Sequence, residues 1–105
     1  PATSAEITAL AAGKRTLFIH DGDHAATTVL HDLRFYAPLV SVGSYFIVED
    51  SVVDTAKAEI TVRPLLCPLH AIEEFLAEAP HFQIDRSCER YLITQNPSGY
   101  LKRVA

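Results

Sequence analysis

No block of Lys or Arg, no apolar run long enough to span a membrane and no paired-cysteine motif occurs in this chain. Nine Lys and Arg stand against thirteen Asp and Glu, a formal net charge of −4, so no surface that would track a phosphate backbone is expected and nucleic acid is excluded as a partner. The lack of a long hydrophobic run excludes a membrane span. Residues 1–6, Pro-Ala-Thr-Ser-Ala-Glu, also lack the basic start and apolar stretch of a secretory signal. The chain therefore reads as soluble and cytoplasmic. Cys67 and Cys88 stand apart, in neither a C-x-x-C nor a zinc-ligand spacing, and a reducing compartment keeps both as thiols. Repeats and low-complexity segments are absent too. A length of 105 residues allows one domain, 1–105, with a real core but little room for an α/β enzyme together with its cofactor.

What is present alternates between short apolar runs and helical periodicity. Thr3 and Glu6 have capping-box spacing, Ile7, Leu10 and Ala11 share a helical face, and Gly13 is placed to end that helix. Thr16 to His20 is too short for a core helix and reads as a strand, with a turn at Gly22. From Ala25 to Ala37 the apolar positions Ala26, Val29, Leu30, Leu33 and Tyr36 recur every three or four residues, which places His31, Asp32 and Arg34 mostly on the outer side, and Pro38 stops the pattern. After a turn at Val42-Gly43, Tyr45 to Val48 is the near-continuous apolar run of a strand covered on both faces. The segment between the two strands is then a crossover of a parallel pair.

Ser51 to Cys67 has no period and is expected to form a long loop. Pro68 opens a helix with Leu69, Ile72, Phe75, Leu76 and Ala79 on one face, closed by Pro80. Two further strands are expected at His81–Arg86 and Tyr91–Gln95, followed by a turn over Asn96-Pro-Ser-Gly99. Tyr100-Leu-Lys-Arg103 reads as a basic end closing the last strand.

The first two strands both stop in carboxylates: Thr16-Leu-Phe-Ile-His-Asp-Gly-Asp-His24 and Ser44-Tyr-Phe-Ile-Val-Glu-Asp50. Parallel pairing would bring Asp21, Asp23, His24, Glu49 and Asp50 to the carboxyl edge of one sheet, where open α/β folds put their ligands. A set of carboxylate oxygens suits Mg²⁺, which keeps positions for water or substrate, better than zinc. The alternative is bland: Asp-Gly-Asp is a common turn composition whose side chains cap a following helix, and Glu49-Asp50 is a solvated strand end. His20, His31, His70 and His81 read as surface or packing residues.

Three stretches carry a resemblance. Phe35-Tyr-Ala-Pro-Leu-Val-Ser-Val-Gly-Ser-Tyr-Phe-Ile-Val-Glu-Asp50, Ala71-Ile-Glu-Glu-Phe-Leu-Ala-Glu-Ala-Pro80 and Arg86-Ser-Cys-Glu-Arg-Tyr-Leu-Ile-Thr-Gln-Asn-Pro-Ser-Gly-Tyr-Leu-Lys-Arg103 resemble the cephalosporin hydroxylase and rhamnosyl O-methyltransferase family, in order and with few gaps from about Thr16 to Arg103. The resemblance implies a Rossmann-like, class I S-adenosylmethionine-dependent methyltransferase fold. This chain would supply its later half, strands four to seven with the last one antiparallel, and the flanking helices. The Gly-rich loop and the acidic residue that hold the cofactor in that family precede this part, so no residue here is assigned to S-adenosylmethionine. The resemblance further implies Mg²⁺ bound by Asp21, with Asp23 as the rival, and by Glu49 and Asp50, with His24 as the base. Where the family commonly has Gly-Pro, this chain has Cys67-Pro68, after a loop without glycine.

Two functions follow as expectations. One is a Mg²⁺-dependent O-methyltransferase of a sugar or natural-product hydroxyl, incomplete as an isolated chain, with a small hydroxyl acceptor as its partner. The other is a non-catalytic half-fold whose open sheet edge, the flank of the fourth strand, is covered in a homo-oligomer.

Overall fold

A computed structural model describes residues 4–22, 25–49, 68–89, 96 and 98–105. Helix α1 spans Ser4–Ala11, strand β1 Phe18–His20, helix α2 Ala26–Tyr36 and strand β2 Tyr45–Val48. Helix α3 covers Pro68–Glu78, strand β3 Phe82–Ile84 and strand β4 Tyr100–Arg103, with short 3-10 turns at Ala37–Leu39 and Arg86–Cys88. The four strands form one mixed sheet in the order β1-β2-β4-β3. Among the described residues no helix is long and apolar enough to cross a membrane.

Local chemistry accounts for most of these boundaries. Gly13, just past α1, takes a φ of 68°, the left-handed position in which helices commonly end. Pro38 cannot donate to the α2 ladder, and the helix tightens there into the 3-10 turn before Gly43, at φ 83°, reverses the chain into β2. Ala25 stands at the N-cap of α2 in an extended conformation.

Alternation along the strands decides which side chains are covered. Phe46 and Val48 of β2, Leu101 of β4 and Phe82 of β3 are buried on one face, against Val29, Leu30 and Leu33 of α2 and Ala71, Ile72 and Phe75 of α3. Phe18 extends this layer to β1, its ring stacked between Tyr36 at 5.3 Å and Phe46 at 6.0 Å. Arg34 of α2 bridges to Glu78 of α3 at 2.7 Å on the solvent side of the helix pair, which holds its guanidinium pKa up.

The Tyr100–Arg103 tail proves to be a strand inside the sheet. It runs antiparallel between β2 and β3, with Phe46 opposite Leu101 and Phe82 opposite Arg103. The Arg103 guanidinium donates to the carbonyls of Pro38, at 3.1 Å, and Val40, at 2.7 Å, and so ties the end of β4 to the crossover. The expected strand Tyr91–Gln95 and the expected loop Ser51–Cys67 lie outside the described residues.

Candidate functional site

β1 and β2 are parallel, and β4 is antiparallel to both β2 and β3, so β1, β2 and β3 all end at the same edge of the sheet. Each of the three is followed by an acid: Asp21, Glu49 and Asp85. The β1–β2 register pairs Phe18 with Phe46 and His20 with Val48, and one further step sets Asp21 beside Glu49. The Glu49 N–H donates to the His20 carbonyl at 3.0 Å, so the pairing persists to that step. Asp21 is exposed and Glu49 half-buried. The register thus sets the two strand-end acids side by side along the backbone. Asp23, His24 and Asp50 lie outside the described residues, within which no group of three or more His, Cys, Asp or Glu is assembled for a metal. Carboxylate oxygens are donors of the kind Mg²⁺ takes.

Asp85, the acid missed by the sequence reading, has another use. Its carboxylate accepts from the Tyr45 hydroxyl at 2.6 Å and from the Ser87 N–H at 3.0 Å, and so caps the 3-10 turn after β3. The hydrogen bonds from Ser87 and then from Tyr45 lower its pKa to about 2. The same contact with Asp85, followed by burial, pushes the Tyr45 hydroxyl up to about 12. An acid whose oxygens are held in this way stabilises its own turn and is a poor choice of metal ligand.

His20 and Asp32 correct a second reading. Asp32, expected on the outer face of α2, turns toward β1, and its Oδ2 lies 2.9 Å from Nε2 of His20, whose side chain is only 9% exposed. His31 takes the exposed position instead. A cavity of about 350 Å³ opens beside this pair, lined by Phe18, Tyr36 and Ile7 on its apolar side and by His20, Asp32 and Asp21 on its polar side. His20 therefore acts twice at the site, through a carbonyl that fixes Glu49 and a ring that anchors α2 under the end of β1. A helix position can face inward at its edge when a polar partner waits there, which helical periodicity alone does not reveal.

A mixed sheet with helices packed on it and two acidic strand ends at one edge is compatible with an α/β methyltransferase-like fold. The family model described as rhamnosyl O-methyltransferase/CmcI matches residues 1–104, and the chain belongs to that family. An O-methyltransferase family of this type implies S-adenosylmethionine as methyl donor. No curated protein and no solved structure matches the chain.

Proposed function

We propose that this chain is the metal- and acceptor-bearing part of an S-adenosylmethionine-dependent O-methyltransferase that acts, in the cytoplasm, on a hydroxyl of a sugar or natural product. The observation that carries the reading is the β1–β2 register, which sets Asp21 beside Glu49 at the edge where α/β folds bind ligands. The position of β4, last in the chain and reversed against both neighbours, supports assignment of β1 to β4 to the later half of the family's sheet. In this reading Asp21 (or its rival Asp23), Glu49 and Asp50 hold Mg²⁺. The bound ion would lower the pKa of a chelated acceptor hydroxyl. His24 receives the hydroxyl proton as the oxygen attacks the methyl sulfonium. The cavity beside Asp21 gives an acceptor ring an apolar wall at Phe18 and Tyr36 and a polar one at His20 and Asp32. The cofactor is held by a part of the fold that these residues do not supply.

A second reading has its own observation. β1 is the outer strand of the described sheet, and the His20 carbonyl is engaged by β2, so the alternation turns the Ile19 backbone groups outward. Leu17 and Ile19 are about half exposed, at 49% and 55%. An open apolar edge of this kind favours a homo-oligomer, and a chain that only oligomerised would be a non-catalytic remnant.

Calorimetric titration of the 105-residue protein with S-adenosylhomocysteine, with and without Mg²⁺, separates the two readings. The enzyme reading expects Mg²⁺ uptake that Glu49→Gln abolishes, and micromolar binding of S-adenosylhomocysteine once the cofactor-holding part is supplied. Mg²⁺ uptake unchanged in Glu49→Gln would count against the site.

A further inference from the structure

The cavity beside β1 is lined by a histidine with one nitrogen to spare. The His20 side chain is only 9% exposed, and its Nε2 lies 2.9 Å from Oδ2 of Asp32. The other Asp32 oxygen is 3.3 Å from Nδ1 of His31, so the carboxylate is held from two sides. An ionised carboxylate only accepts hydrogen bonds. Nε2 of His20 therefore carries the hydrogen, and in the neutral ring Nδ1 is left with a bare lone pair. Among the described residues no hydrogen bond reaches that nitrogen. A buried acceptor left without a donor costs free energy that a ligand hydroxyl would recover. Gly22 keeps the ring accessible. A β-carbon there would lie 3.7 Å from Cε1 of His20, the atom between the two nitrogens, and 3.8 Å from Nε2, in ordinary contact. Branches beyond that carbon would take up part of the cavity of about 350 Å³ that Gly22 and His20 both line. Phe18, Tyr36 and Phe46 line it too, with the Phe18 ring within 27° of Tyr36 and 15° of Phe46. Near-parallel aromatic rings of this kind offer flat apolar surface on which another ring packs.

We infer that this cavity takes a hydroxylated six-membered ring, whose face packs on Phe18 and Tyr36 and whose hydroxyl donates to Nδ1 of His20. Asp32 is the positioning residue that fixes the hydrogen on Nε2 and so keeps Nδ1 an acceptor. A convergent polar group in an apolar cavity of this volume is the usual form of a small-molecule site. Phenols and saturated, sugar-like rings share the required chemistry. In the proposed methyl transfer the hydroxyl on His20 is a second one, which orients the acceptor while another is methylated, and to that extent the inference rests on the acceptor reading above.

NMR titration of the 105-residue protein in mildly alkaline buffer, with neither Mg²⁺ nor cofactor, tests the site with phenol, with toluene, which has the same shape but no O–H donor, and with cyclohexanol. Phenol is expected to shift the resonances of Gly22 and Tyr36 and to bind about three- to tenfold more tightly than toluene, the worth of one hydrogen bond. The imidazole nitrogen signals of His20 should place its hydrogen on Nε2. Cyclohexanol binding above phenol marks a sugar-like ring, and binding below it an aromatic one. Gly22→Val is expected to melt near wild type and to lose the shifts, whereas His20→Leu should bring phenol down to the level of toluene. Phenol that binds no tighter than toluene, or that binds Gly22→Val as it binds wild type, overturns the inference. Because the assay contains no metal, that outcome leaves the assignment of Asp21 and Glu49 to be decided separately by Mg²⁺ uptake.

Discussion

Gly99→Ala tests how tightly the carboxyl edge is built. A β-carbon at Gly99 would stand 2.3 Å from the carbonyl oxygen of Val48, against about 3.4 Å where ordinary contact begins. The obstacle is backbone of β2 and cannot rotate away. The 96–99 turn and β2 must therefore separate by about 1 Å, and the Val48 N–H to Gly99 carbonyl bond stretches beyond useful length. Val48 is fully buried, so its N–H finds no water in exchange. Overpacking together with one unsatisfied buried donor amounts to about 2–4 kcal/mol, which in a domain of this size lowers the melting temperature by roughly 10–25 °C. Gly13→Ala is the control. Gly13 has a φ of 68° with nothing within 4 Å of the added carbon, so it loses only the conformational contribution, about 1 kcal/mol. Thermal unfolding followed by circular dichroism checks both. A Gly99→Ala protein that melts no lower than Gly13→Ala would refute the reasoning.

Acid should weaken the fold through Asp85. Its folded pKa lies near 2, below the usual 3.8, so its contribution is complete above the unfolded value and is lost as pH falls from about 4 toward 2. Urea midpoints measured across that window should drop less steeply in Asp85→Asn than in wild type. Tyr45 acts at the other end: its raised pKa makes a contribution that is present below pH 10 and lost as pH rises toward 12, and Tyr45→Phe should flatten that limb. Asp32→Ala leaves the ring of His20, 9% exposed, without its partner and is expected to cost about 1–3 kcal/mol in urea unfolding. Removing both partners, as His20→Phe with Asp32→Ala, should recover part of that loss. A double variant as unstable as the sum of the two single variants would show that the pair is not the reason.

Much of the chain could be read locally. β2 stands at Tyr45–Val48 as its unbroken apolar run predicts, and α2 and α3 bury the faces their spacing indicates, because each is defined by neighbours within a few residues. β1 is shorter than expected, Phe18–His20, since Thr16 turns away to serve Ser41. That β1 and β2 each end just before an acid, Asp21 and Glu49, was legible for the same local reason. Asp32 was not legible. Its inward turn depends on His20, twelve residues earlier and on another element.

The place of β4 illustrates the deeper limit. Tyr100-Leu-Lys-Arg103 offers one core side chain, Leu101, among two basic residues and a tyrosine, a pattern too short and too polar to mark a strand with neighbours on both sides. What puts it there is non-local: Leu101 fills the space between Phe46 and Ile84, Gly99 alone can pass the Val48 carbonyl, and Arg103 answers the carbonyls left by the Pro38 turn. Each of these partners lies far away in sequence, so none could be weighed from the tail itself. The consequence reaches the carboxyl edge, because the Val48 N–H to Gly99 carbonyl bond holds the 96–99 turn against the end of β2.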